Sequence, residues 1–363
     1  MNAMENFSGR IPSLDGLRTI SIILVIIGHL FHVLGLGGFG NFGNLGVRIF
    51  FVISGFLITG LLLKEIAKTK KIDLLKFYFR RTLRIFPPYY FYLLVILGVT
   101  LFGFIAIPLS SFISSATYTS NYFNPANWYL GHTWSLSIEE QFYLILPGVL
   151  LLLGVRKTKV FLCLVFLISP FVRVFLYKFF GDDATWIGKG FQSNMDALAI
   201  GCLLSLFYTE LHQNPLYLRF LNSKLVIILP IIIVSLNFLT NRPLIFYGVS
   251  LSAMNLLIAL CLDWVVTNYN SAAGKILNAA PMVTLGMMSY SIYLWQQPFF
   301  NPDNPSILTQ TPFNFVGLAV MTLISYYLVE KYSLKLRQNL EGKFFVKDEK
   351  SKAKNLSYQS STR

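Results

Sequence analysis

Long apolar blocks alternate with short polar or basic stretches along this chain. Ten of these blocks predict membrane-spanning helices, at roughly 16–36, 46–63, 87–108, 137–154, 160–180, 190–208, 225–240, 244–266, 281–300 and 312–330. Crossing hydrocarbon takes about 20 residues of α-helix, and most of the blocks approach that length. The 190–208 block carries Asp196, and the 225–240 block is short. The reading is an all-α, polytopic membrane protein with about ten spans.

Composition supports this. The chain has 363 residues, of which 55% are hydrophobic and only 13% charged, with a mean hydropathy of +0.59. Soluble domains carry about 25% charged residues. A net charge of +14 would suggest a nucleic-acid partner in a soluble protein. Here the basic residues cluster between spans, so no nucleic-acid partner is expected. With the N-terminus inside, eight Lys and Arg fall between 64 and 84, and nine more follow from 331. The opposite connections hold few, which orients the chain N-in and C-in. The first block is long, carries a charge and lacks a small-residue cleavage site, so no cleaved signal is expected. A membrane domain over 1–335 and a charged, disordered cytoplasmic tail over 336–363 are expected. Cys163, Cys202 and Cys261 lie in apolar blocks with no metal-site or disulfide spacing.

Polar residues inside the blocks are candidates for chemistry, because they are costly in hydrocarbon. Arg18 and His29 are eleven residues apart in the first block. Eleven helical steps come to just over three turns, so both share one face, about 16 Å apart along the axis. A His can serve as general base on a hydroxyl, and an Arg can hold a phosphate or carboxylate. The bland alternatives are a snorkelling Arg and a His bonded to a neighbouring helix. His32, one turn beyond His29, has no third ligand near it in sequence, so no metal is expected.

Five further groups follow. Ser54-Gly55 interrupts FFVISGFLI and reads first as a helix-packing pair. Arg80, Arg81 and Arg84 precede Pro87-Pro88, which is taken as the break before the third span. The arginines could grip phosphates, or only set topology and touch anionic lipid. In HTWSLSIEEQFYLILP, Glu139 and Glu140 head the fourth span, with Thr133, Ser135 or Ser137 as a possible cap. Capping accounts for one carboxylate better than for two. Arg173 and Asp196 are expected to form an intramembrane ion pair. The last segment is LGMMSYSIYLWQQP, residues 285–298.

Five ordered segments carry a resemblance over residues 11–335: LDGLR with His29, FFVISGFLI, FYFRRTLRIFPPYY, HTWSLSIEEQFYLILP and SYSIYLWQQP. Together they resemble the family-3 membrane acyltransferases, bacterial inner-membrane enzymes that O-acylate extracytoplasmic glycans. The family's characteristic Arg and His match Arg18 and His29. Its Arg-rich segment matches Arg80, Arg81 and Arg84, and its tryptophan–serine–carboxylate motif matches His132, Trp134, Ser135, Glu139 and Glu140. In two places the chain departs from the pattern. Gln296 stands where relatives often have His, and Arg48 stands where they are often acidic. The chain looks like the members without an appended hydrolase-like domain.

The resemblance implies no permanently bound cofactor. It implies acyl-CoA, most simply acetyl-CoA, as cytoplasmic co-substrate and a carbohydrate hydroxyl outside as acceptor, in a multi-pass cell-membrane protein among lipid. Arg80, Arg81 and Arg84 would hold the donor's phosphates, and its arm would run along the Arg18–His29 face. His29 would be general base, oriented by Glu139 or Glu140, with an acyl-His intermediate as a variant and His132 as the other candidate. Trp134 would face the sugar. A transporter or flippase for a lipid-linked sugar is the rival, but no half-repeats are visible. A purely structural role fits five ordered polar motifs less well.

Overall fold

A computed structural model describes residues 11–123, 127–181 and 185–343. Among these the regular elements are all helical. The main helices are α1 (Pro12–Val33), α2 (Asn41–Thr69), α3 (Leu74–Leu101), α4 (Thr133–Phe180), α5 (Phe191–Leu206), α6 (Pro243–Thr267), α7 (Ala280–Phe299) and α8 (Phe313–Lys343). Among the described residues, six helical stretches are long and apolar enough to cross a membrane. The bent pair Pro215–Leu221 and Lys224–Asn237, angled by 53°, counts as a seventh if it is one span. Every expected block overlaps helix, although the 87–108 block leaves it after Leu101. Blocks 137–154 and 160–180 share α4, which bends at Gly154, where φ is +69°.

Three local expectations are corrected. Pro87-Pro88 does not break the chain. α3 begins at Leu74, where Asp73 accepts the Lys76 N–H at 2.9 Å, and runs through both prolines. Inside a bundle, neighbouring groups offset the backbone bonds a proline removes. The arginines and Tyr92 therefore share one continuous rod. Next, Thr133, Ser135 and Ser137 do not cap α4. Their hydroxyls bond back to carbonyls, Ser137 to Thr133 at 3.0 Å, while Asn127 caps the preceding turn at Leu130. Glu139 and Glu140 thus lie well inside the helix, beyond reach of its N-terminal dipole. Finally, residues 336–343 continue α8 rather than opening a tail, and the rest of the expected tail, 344–363, lies outside the described residues.

α1 is central, packed between α2 and α7. It approaches α7 so closely that a Cβ on Gly286 would stand 1.9 Å from the Asp15 carbonyl oxygen. The expected ion pair between α4 and α5 is present: Arg173 Nη1 lies 2.9 Å from Asp196 Oδ2, both fully buried, with Ser252 of α6 bonded to each. Arg48, unexplained by sequence, is also buried. It donates to Asn194 and Asn255, each at 3.3 Å, tying α2 to α5 and α6.

Candidate active site

A cavity of about 870 Å³, mouth included, opens among α1, α2, α3, α4, α7 and α8. Arg18, Arg81 and Arg84 line it together with Glu139, Glu140 and Glu330. Three arginines and three glutamates around one cavity in an apolar bundle are costly as mere packing, which makes this chamber the candidate site. Arg18 sits 3.4 Å from Asp15 in the first turns of α1. The Arg81 guanidinium lies over the Tyr143 ring, 4.4 Å from its centre. Glu139 accepts the Ser54 hydroxyl at 2.7 Å. The two halves of the Ser54-Gly55 pair therefore differ: Ser54 serves the cavity, and Gly55 packs against α5.

Arg80 is not in the cavity. It pairs outside with Glu341 on the extension of α8. Glu330 takes an equivalent place inside. It ends a π-helical turn, Ser325–Glu330, and accepts the Ser291 hydroxyl at 2.8 Å. Such turns often reposition functional side chains. Nothing in the sequence pattern singled out Glu330, because it ends an apolar block beside the basic stretch.

His29 and His132 lie away from the cavity lining, and neither is held by a glutamate. His29 Nδ1 is 2.5 Å from Gln296 Oε1, and His132 Nδ1 is 2.7 Å from Gln297 Oε1. The expected orienting contact from Glu139 or Glu140 is thus replaced by two adjacent glutamines of α7. The cause is axial distance: both glutamates lie about two turns along α4 from His132, at about 5.4 Å per turn. Trp128 joins the histidine cluster, edge-on to His29 at 5.3 Å and stacked on His32 at 5.4 Å. Its indole N–H donates to the Gln297 carbonyl at 3.0 Å. Trp134 is elsewhere, edge-on to Phe51. No cluster of three potential metal-ligating side chains occurs among the described residues.

Cavity and histidine cluster meet at one wall. Ser135 and Tyr293 both line the cavity, their hydroxyls are 2.6 Å apart, and both bond the His132 carbonyl, at 3.1 and 3.2 Å. The Tyr293 ring also stands edge-on to the His132 ring at 5.4 Å. The chamber can therefore hold an anionic ligand at its arginines while a flexible arm reaches toward imidazole.

The family described as an acyltransferase domain matches residues 11–330. The chain belongs to that acyltransferase family. It is 33% identical over 319 residues to O-acetyltransferase OatA of Staphylococcus aureus (strain NCTC 8325 / PS 47), covering 79% of this chain and 50% of the relative. It is 29% identical over 351 residues to peptidoglycan O-acetyltransferase OatA of Listeria monocytogenes serovar 1/2a, covering 90% of this chain and 54% of the relative. The chain thus spans about half the length of these relatives. No solved structure matches. All five segments that carried the resemblance fall within the matched residues, and each of them contributes residues to the lining of one chamber.

Proposed function

We propose that this chain is an integral-membrane O-acetyltransferase. It takes acetyl from cytoplasmic acetyl-CoA and delivers it to a hydroxyl of an extracytoplasmic carbohydrate. One observation carries the reading: α1 holds Arg18 in the charged chamber and His29 in the histidine cluster beyond it. Arg18, Arg81 and Arg84 bind the donor's phosphates as charge-assisted hydrogen bonds do. The pantetheine arm runs along α1 toward the Ser135–Tyr293 wall.

His29 acts as general base. Its Nε2 takes the acceptor's hydroxyl proton as that oxygen attacks the thioester carbonyl. The new C–O bond forms, the C–S bond breaks, and the CoA thiolate leaves and is protonated. Glu139, bonded to Ser54, belongs to the donor chamber, as does Glu140. His132, Trp134 and Ser135 line or support the path between the chambers. Trp128, beside His29, is placed to meet the acceptor sugar.

The name of the Listeria relative makes peptidoglycan the first acceptor to try. The purified chain in lipid is incubated with radiolabelled acetyl-CoA and peptidoglycan fragments. Base-labile label on the glycan is the expected result. Intact donor, with a lipid-linked sugar moved across the bilayer, would establish the transporter reading instead.

A further inference from the structure

The two histidines at the far end of the path share one device. Gln296 and Gln297 are consecutive in α7 and both buried, and each presents its side-chain oxygen to the Nδ1 of a different histidine, at 2.5 and 2.7 Å. A carboxamide oxygen only accepts, so with the oxygen facing the ring each Nδ1 carries the hydrogen. In a neutral imidazole the other nitrogen, Nε2, then holds the lone pair.

The Gln297 carboxamide is locked from a second direction. The backbone N–H of His132 also donates to its Oε1, at 3.0 Å. A backbone N–H can only donate, so an oxygen must occupy that place. The ends of α7 and α4 thereby clasp each other, and Trp128 closes the clasp on the Gln297 carbonyl. The His132 ring is buried within the clasp.

We propose that Gln296 and Gln297 are positioning residues that hold His29 and His132 as Nδ1–H tautomers, baring Nε2 of each. This rests on reading His29 as general base only for its effect on rate. The tautomers stand on the hydrogen bonds. The proposal also accounts for glutamine at position 296: a neutral acceptor sets the tautomer without placing a charge beside the base.

The test is nitrogen-15 NMR of the full chain in lipid with labelled histidine. The chain has only four histidines, so single substitutions assign the signals. His29 and His132 should both be protonated at Nδ1. Gln296→Leu should release His29 alone from that tautomer, and Gln297→Leu His132 alone. Gln296→Glu keeps an acceptor and should restore the Nδ1–H form. In the transfer assay, Gln296→Leu should lower kcat by about 100-fold, within the usual range of a general base, and leave donor KM unchanged. Protonation of wild-type His29 at Nε2 overturns the proposal, as does a rate loss in Gln296→Leu with the tautomer intact. A changed tautomer with full activity would leave the proposal standing and remove His29 as the base.

Discussion

The Ser135 and Tyr293 hydroxyls lie 2.6 Å apart, joining α4 to α7 at the boundary between the charged chamber and the histidines. Both also bond the His132 carbonyl, so this wall ties the chamber to the histidine that α4 presents. Tyr293→Phe removes the phenol's share of these bonds while keeping the ring. The expected cost is about 1–2 kcal/mol of stability, read as a lowered Tm in detergent. The looser wall should also admit water to the thioester. Free CoA should then form faster than acetylated glycan, whereas the wild type should make them in equal amounts. A thiol reagent and a label count on the glycan measure the two rates. Equal rates in the variant would show that the wall does not exclude water.

His29→Ala should reduce transfer by about 10²–10⁴-fold, the usual contribution of a general base. The protein should remain inserted and keep its helical circular dichroism, since His29 makes one side-chain hydrogen bond, at the edge of the bundle. His132→Ala removes a buried ring that Gln297, Tyr92 and Tyr293 all contact, so its larger effect should be on stability. Initial rates beside melting curves separate the two. A greater rate loss in the His132 variant at equal folded fraction would move the base to His132.

Arg80 and Arg84 are one helical turn apart on α3, yet the structure separates them. Arg84 lines the chamber, and Arg80 pairs with Glu341 outside it. Arg84→Gln should raise the donor KM by roughly 10–100-fold, the worth of a hydrogen bond to a charged group, with kcat little changed. Arg80→Gln should leave the donor KM alone, because an exposed ion pair is worth about 0–1 kcal/mol and touches no ligand. Titrating acetyl-CoA against each variant checks both. Equal KM shifts would mean that the phosphates lie at the mouth rather than within.

These contrasts show where the sequence stopped being legible. Apolar blocks announce helices because hydrocarbon leaves backbone groups no alternative partner. The cost of lone charges in the same blocks marked Arg18, Arg173 and Asp196. Partnerships were harder to read. Gln296 meets His29 across 267 residues of chain, and Tyr293 meets Ser135 across 158, so no local pattern links them. Two carboxylates heading a span suggested an orienter for the histidine, but nearness in sequence hid the turns of helix between them. Trp134 stood in the recognisable motif, while Trp128, which meets His29, heads the short helical turn just before it. Pro87-Pro88 misled for a different reason: the rule that proline ends a helix belongs to water, and α3 is supported on its flanks.

Gly55 and Gly201 mark the crossing of α2 and α5. A Cβ on Gly55 would stand 2.1 Å from the Leu198 carbonyl oxygen, and one on Gly201 would stand 2.1 Å from that of Val52. Both obstacles are backbone, so no side chain can turn aside and the helices must part. Gly55→Ala should therefore cost about 1–3 kcal/mol, the usual range for overpacking. Gly201→Ala should cost about as much, and the double variant should fall short of the sum, because the first substitution already opens the crossing. Activity should fall along with stability. Ser54 adjoins Gly55 and bonds Glu139 at 2.7 Å, so a displaced α2 pulls that hydroxyl from the chamber. Melting curves of the three variants give the coupling, and donor KM reports the chamber. Full additivity, with KM unmoved, would mean that the helices bend locally instead of separating.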